Sequence, residues 1–84
     1  MRNLHMLRIK YSPPSKKLQP RVKIISDLLG EFIFVPYPQK YDSITDCAED
    51  YLTSNGHMIV GYGEVKGCSI IAVFPEDHQY KSIK

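Results

Sequence analysis

The sequence contains no tryptophan, and its two cysteines, Cys47 and Cys68, are too few for a disulfide framework. No apolar run approaches the roughly 20 residues that a membrane-crossing helix needs. The first residues carry cations without the apolar segment of a secretion signal, and Met6 is an alternative to Met1 as the translation start. These absences favour a cytoplasmic protein with two free thiols and no membrane partner.

Metal-binding and nucleophile motifs are also missing. The three histidines, His5, His57 and His78, are far apart in the chain, and neither cysteine has the spacing of a zinc ligand. Cys47 falls on the apolar side of a predicted helix, where a thiol is usually inert core material. We therefore expect no metal site and no catalytic cysteine.

The glycine-rich run GYGEVKG, residues 61–67, does not have the spacing of a phosphate-binding loop. A predicted strand follows it, whereas such loops lead into a helix whose N-terminus holds the phosphate. A hairpin with glycines at its bends explains the run better. The acids Asp46, Glu49 and Asp50 lie on the outward side of a predicted helix, so we expect neither an enzyme nor a cofactor.

Charge is distributed unevenly along the chain. Residues 1–24 contain seven cations and no acid, whereas residues 25–84 contain four lysines against nine acids, and the net charge is +2. Such asymmetry favours a phosphate-rich or acidic partner for the basic part. In the alternative interpretation, the basic strands lie beside the acidic helix and neutralise it.

Hydrophobic periodicity predicts five strands and one helix in the order β-β-β-α-β-β. Residues that alternate in polarity indicate strands, and a stripe of period 3.6 indicates the helix; the predicted strands are 5–11, 21–25, 31–37, 57–63 and 68–74, and the predicted helix is 42–54. In the fourth strand, Met58, Val60 and Tyr62 are expected on one face. Short connections make the strands mostly antiparallel, so we predict a two-layer α+β fold with the helix on one sheet face. Residues 1–84 form one domain, and we expect 1–4 and 76–84 to be flexible.

The predicted helix has consistent signals at both ends and along its length. Asp42 or Ser43 serves as N-cap, and Asn55-Gly56 supplies the C-terminal stop. One apolar stripe recurs at helical spacing between them and consists of Ile44, Cys47, Ala48, Tyr51 and Leu52.

A basic hairpin is the strongest candidate binding site. If the first two strands pair, Arg8 and Lys10 share a face with Arg21 and Lys23, and like charges in such positions destabilise a sheet unless an anion binds. The connecting loop adds two more lysines. The candidate binding residues are Arg8, Lys10, Lys16, Lys17, Arg21 and Lys23, and the candidate base-stacking residues are Tyr11, Tyr37 and Tyr62.

The sheet face without the helix is also a candidate for protein contact or for a homodimer seam. The apolar side chains expected there are Met6, Ile25, Phe32 or Ile33, Ile71 and Val73. The alternative is that these residues form the second layer of a thin core.

Several short motifs resemble a group of small uncharacterised proteins found on phages, plasmids and other mobile elements. The shared features are a Tyr-x-Pro loop that leads to an Arg-Val/Ile-Lys strand, together with scattered helix and turn residues. In this chain they are Tyr11-x-Pro13, Arg21-Val22-Lys23, Pro36-Tyr37, Ala48, Tyr51-Leu52, Asn55-Gly56 and Gly61.

The resemblance implies a small non-enzymatic protein that inhibits or modulates a host protein or a protein–nucleic-acid complex, including defence nucleases. We expect it to act in a bacterial host as a monomer or homodimer. The alternative function is direct binding of single-stranded DNA or RNA through the basic hairpin and the tyrosines.

Overall fold

A computed structural model describes residues 4–74 and 82–84 of the chain. The predicted order β-β-β-α-β-β is confirmed. The elements are β1 (His5–Ser12), β2 (Arg21–Ser26), β3 (Glu31–Pro36), α1 (Ile44–Ser54), β4 (Ile59–Val65) and β5 (Cys68–Val73). Within the described residues, no helix has the length and apolar character that crossing a membrane requires.

All five strands form one antiparallel sheet with the order β3-β2-β1-β5-β4. Three hairpins supply three of the four pairings, and the fourth joins β1 to β5 from the far end of the chain. The single helix packs across one face of this sheet. The predicted two-layer α+β architecture is therefore confirmed, and the helix covers only one of the two sheet faces.

The helix begins at Ile44, and Ser43 is its N-cap. The side-chain oxygen of Ser43 accepts a hydrogen bond from the backbone N–H of Asp46 at 3.1 Å. Of the two predicted N-caps, the structure therefore selects Ser43, and α1 starts two residues after the predicted position. At the other end, Gly56 has a φ of +84°, a conformation that glycine adopts without strain. The predicted apolar stripe faces the sheet.

Alternation along the strands places the core between the sheet and α1. In β1, His5, Leu7 and Ile9 are buried, while the residues between them point to the other face. The buried apolar cluster consists of Leu7, Ile9, Val22, Ile24, Cys47, Ala48, Leu52, Ile71, Val73 and Ile83.

His5 is a polar member of this buried layer. Its Nε2 lies 2.6 Å from the hydroxyl oxygen of Ser26, which is also buried. Burial lowers the pKa of His5, and the nearby carboxylate of Glu31 only partly opposes that effect. The neutral ring therefore belongs to the core.

The fourth strand differs from its prediction in start and in facing. It begins at Ile59 instead of His57, because the backbone N–H of His57 bonds the carbonyl of Leu52 at the end of the helix. An irregularity between Ile59 and Gly61 then shifts the register by one residue. Tyr62 consequently lies on the helix side of the sheet with Ile59, and the prediction that it shares a face with Met58 was wrong.

The turn after β4 consists of two residues, Lys66 and Gly67, with φ values of +51° and +77°. Two positive φ angles between paired strands are typical of the tight turns that suit the right-handed twist of a hairpin. The predicted hairpin over the glycine-rich run is therefore confirmed.

Two apolar residues of β5 face the opposite way from the prediction. Ile71 and Val73 are in the core, whereas Ile70 and Ala72 belong to the face without the helix. A continuous apolar run such as CSIIAV carries no alternation from which its facing could be predicted. On β3, Ile33 packs on the core, so Phe32 is the residue on the other face.

Residues 82–84, which fall in the segment expected to be flexible, contain a core side chain. Ile83 is 1% exposed. Its N–H donates to Glu31 Oε1 at 2.8 Å, and its carbonyl accepts from the Tyr51 hydroxyl at 2.9 Å. A single apolar side chain in a polar stretch accounts for this docking. The expectations for residues 1–3 and 76–81 fall outside the described residues.

We predict that Ile83→Ala lowers the free energy of unfolding by about 2–5 kcal/mol, because it leaves a cavity between α1 and the sheet. Urea unfolding followed by circular dichroism measures the change. The control is Lys84→Ala at the exposed neighbouring position, which should stay within about 0.5 kcal/mol of the unmodified chain. Equal stability of both variants would show that Ile83 is not a core residue.

Candidate functional site: the open face of the sheet

The open face is the side of the sheet opposite α1. The alternation that buries one set of residues in each strand exposes another set here. Directly opposed pairs on this face are Arg8 with Ile25, Lys10 with Lys23 and Ile25 with Phe32. Its residues are Met6, Arg8, Lys10, Arg21, Lys23, Ile25, Phe32, Phe34, Ile70 and Ala72.

Lys10 and Lys23 are cross-strand partners at the centre of this face. Two ammonium groups in directly opposed positions repel each other and destabilise the pairing of β1 with β2. Lys23 points toward β3 instead, with its Nζ 4.4 Å from the centroid of the Phe32 ring. This contact compensates part of the repulsion, since a cation over an aromatic face is attracted to it.

Two phenylalanines are exposed beside these lysines. Phe32 is 52% exposed and Phe34 is 40% exposed, and their rings meet edge to face with centroids 5.8 Å apart. The guanidinium of Arg21 lies 4.0 Å above the centroid of Phe34. We refer to Arg21, Lys23, Phe32 and Phe34 as the cation–aromatic cluster.

Arg21 has an unsatisfied donor within this cluster. Its Nε is shielded from solvent and has no hydrogen-bond acceptor. An unpaired buried donor is unfavourable by about 1–3 kcal/mol, and more for a charged group. A ligand could reach this donor only after the side chain moved, because the atom has almost no solvent-accessible surface.

Arg8 forms an ion pair with Asp27, which the prediction of a basic hairpin did not include. Its Nε and Nη2 donate to the two carboxylate oxygens of Asp27 at 2.7 and 2.8 Å. These hydrogen bonds hold the pKa of Asp27 below its ordinary value. Arg8 is therefore largely neutralised, and the uncompensated charge on the open face comes from Lys10, Arg21 and Lys23.

The remaining predicted cations, Lys16 and Lys17, lie in the exposed loop that joins β1 to β2. The loop contains a tight turn in which Ser15 and Leu18 exchange backbone hydrogen bonds of 3.0 and 3.3 Å. It emerges at the end of the sheet where Ser12 pairs with Arg21. Both lysines thus extend the basic end of the open face.

The three candidate stacking tyrosines lie on the other side of the sheet. Tyr11 pairs with the buried Val22 and meets Tyr37 edge to face, with ring centroids 6.0 Å apart. Tyr62 hydrogen-bonds Glu49 of the helix, and this bond raises the pKa of its hydroxyl. The rings that contact Arg21 and Lys23 are those of Phe34 and Phe32 and not those of the tyrosines. Of the three tyrosines, Tyr11 lines a groove together with Lys10.

Tyrosines also contact the acids of the helix. Besides the bond from Tyr62 to Glu49, the Tyr41 hydroxyl donates to Asp50, which raises the pKa of Tyr41 to about 12. Within the described residues, no ion pair joins α1 to β1 or β2. The basic strands therefore do not neutralise the acidic helix, because their cations lie on the opposite face of the sheet.

The open face is polarised along the strands. At the end near the β2–β3 turn, four exposed apolar side chains replace the cations: Leu4, Met6, Met58 and Phe74. Met58 and Phe74 are joined by a backbone hydrogen bond of 3.0 Å, and Leu4 and Phe74 flank the pair His5–Val73. We call these four residues the apolar end.

The phenylalanines were missed as site residues, although the sequence contains the signal. In EFIFVP, a period of two that buries Ile33 and Val35 leaves Phe32 and Phe34 exposed. Aromatic residues in a strand are usually assigned to the core, so the alternation in β3 was not used to predict that the phenylalanines are exposed.

The open face carries cations and exposed aromatic rings. Among the described residues, no group of three or more His, Cys, Asp or Glu side chains could hold a metal ion. Comparisons with protein-family models, with curated proteins and with solved structures find no match for this chain. Functional inference therefore depends on the site itself.

We predict that Lys10→Gln increases stability by about 0.2–1 kcal/mol at low salt, because it removes the repulsion between Lys10 and Lys23. The gain should shrink at about 1 M salt, where screening weakens the repulsion. Thermal unfolding at both salt concentrations measures it, with Lys17→Gln in the loop as the control. A gain that is independent of salt would contradict a charge effect.

Proposed function

We propose that this protein is a non-enzymatic binding protein and that its open face binds single-stranded nucleic acid. The observation that carries the proposal is the cation–aromatic cluster beside Lys10, on a sheet face that no element of the described residues 4–74 and 82–84 covers. Exposed aromatic rings and cations on one surface are the combination that single-stranded nucleic acid requires.

Charge complementarity supports a polyanion as the ligand. Lys10 and Lys23 are cross-strand neighbours, and Arg21 and Lys23 are two residues apart on β2. Residues at that spacing are about 6.6 Å apart along a strand, so the three cations form a compact group. A phosphate chain that reaches this group relieves the repulsion between the lysines and compensates the charge of Arg21.

The exposed phenylalanine rings support a ligand that also contains unpaired bases. A base in a duplex is stacked on its neighbours and shows only its edge, whereas a base in a single strand can stack on a side chain. Phe32 and Phe34 present exposed ring surface, and Arg21 already lies over Phe34 at stacking distance. A flat sheet face also has no helix or ribbon projecting toward a duplex groove.

Binding to a host protein is a second candidate, and the apolar end favours it. Leu4, Met6, Met58 and Phe74 are exposed apolar side chains without cations among them, which is typical of a protein contact. Inhibition of a host protein or protein–nucleic-acid complex, as the mobile-element resemblance implies, stays a proposal. The protein candidate is centred on the apolar end, and the nucleic-acid candidate is centred on the cation–aromatic cluster.

Fluorescence anisotropy with labelled single-stranded DNA and RNA, each with a duplex competitor, tests the proposed function. We expect affinity to fall between about 50 and about 200 mM salt, as it does when cations contact phosphates. Lys10→Gln combined with Lys23→Gln should reduce the salt slope by roughly 0.7 for each phosphate contact removed.

Phe34→Ala should weaken binding of the single strand by about 1–3 kcal/mol, through loss of a stacking surface. The matched control is Phe74→Ala, which removes an equally exposed phenylalanine from the apolar end and should leave the affinity unchanged. Absence of binding to any oligonucleotide at low salt would overturn the proposal. A preference for duplex over single strand would also contradict it.

A further inference from the structure

A groove lies beside the cation–aromatic cluster, where β1 meets β5 and the β4–β5 turn, and it is also lined by Tyr11 and Ile44 from the helix side of the sheet. Its volume is about 870 Å³, and its apolar lining includes Met6, Val65, Cys68 and Ile70. A smaller concavity of about 240 Å³ adjoins it and shares Met6, Val65 and Ile70. We call the two together the side groove.

The side groove is open toward β4 because this strand contributes glycines there. Gly61 pairs with Ala72, and Gly63 pairs with Ile70, so small residues are opposite the buried part of β5. A Cβ atom added at Gly63 would meet no other atom within 4 Å. No side chains therefore project from the glycine positions of β4, whereas the phenylalanine rings project from β3 at the opposite edge of the sheet.

Cations line the groove as well as the cluster. Lys10 and Lys66 are both part of the groove wall, and Lys10 also opposes Lys23 of the cluster. Arg8 and Asp27 line it too, joined to each other by their ion pair. Cations are therefore present on β2 at Lys23, on β1 at Lys10 and in the β4–β5 turn at Lys66, with the Arg8–Asp27 ion pair beside them.

We infer that a bound single strand crosses the sheet perpendicular to the β-strands, from the cation–aromatic cluster over Lys10 into the side groove, where an unpaired base is held between Met6, Val65 and Ile70. This inference rests on the proposed function and adds a second subsite to it. The apolar floor accommodates the face of a base, and Lys66 at the rim contacts the phosphate that follows it.

Two oligonucleotide lengths separate the subsites. An oligothymidine of roughly two nucleotides covers only the cluster, whereas one of about eight nucleotides, within the usual range of single-strand binding domains, reaches the groove. The quantity measured by anisotropy is the ratio of the affinities for the long and the short oligonucleotide.

Gly63→Val fills the groove in an exposed edge strand, where the added side chain meets open space and β-propensity rises. We expect the affinity ratio to fall by about fivefold or more, the loss of roughly one base contact. Thermal unfolding verifies that the variant is folded.

Lys66→Asn is a second, independent variant. Asparagine adopts a positive φ readily and forms a favourable turn with Gly67, so the hairpin should remain folded. We expect the salt slope of the long oligonucleotide to fall by roughly 0.7, and that of the short one to fall by less.

An affinity ratio that neither variant changes would overturn the crossing path, while binding at the cluster would leave the proposed function intact. An equal loss for both lengths in Gly63→Val would also overturn it, since the groove would then not be a separate subsite. Failure of the unmodified protein to bind either oligonucleotide would instead overturn the proposed function, and the path with it.

Discussion

The alternation of β1 at the centre of the sheet is the constraint on which the other features depend. One set of its residues, His5, Leu7 and Ile9, completes the core under α1, and this fixes Met6, Arg8 and Lys10 on the other side. Because the described chain has one helix and it covers one face, the second face is exposed over β1, β2 and β3. Every candidate binding residue on that face has its position through pairing with β1 or with β2.

The composition of the open face is unfavourable for an isolated protein. Lys10 and Lys23 repel each other, Phe32 and Phe34 are exposed, and Arg21 has an unsatisfied donor. These three features lie within one contiguous surface. A ligand that combines negative charge with flat aromatic groups would compensate the first two at once, and this coincidence supports a binding function more strongly than either feature alone.

Much of the fold could be predicted from local patterns, and each error has a specific physical cause. Period-two alternation gave the facing of β1 and β2 correctly, and capping signals gave the helix. The facing of Ile71 and Val73 was wrong because a run of apolar residues has no alternation. The predicted facing of Tyr62 was wrong because it depends on a bulge at Val60, and the strand pairing that produces the bulge cannot be seen in the sequence. The ion pair between Arg8 and Asp27 could not be predicted, because it depends on how β1 is aligned with the β2–β3 turn.

The central proposal is that the open face, and not the helix side, is the binding surface. Chemical-shift mapping of the ¹⁵N-labelled protein during titration with a single-stranded oligonucleotide tests this claim most directly. We expect the largest shifts at backbone amides of β2 and β3 around Lys23 and Phe34, and small shifts throughout α1. Shifts concentrated on α1, or confined to the apolar end around Met58 and Phe74, would contradict the claim.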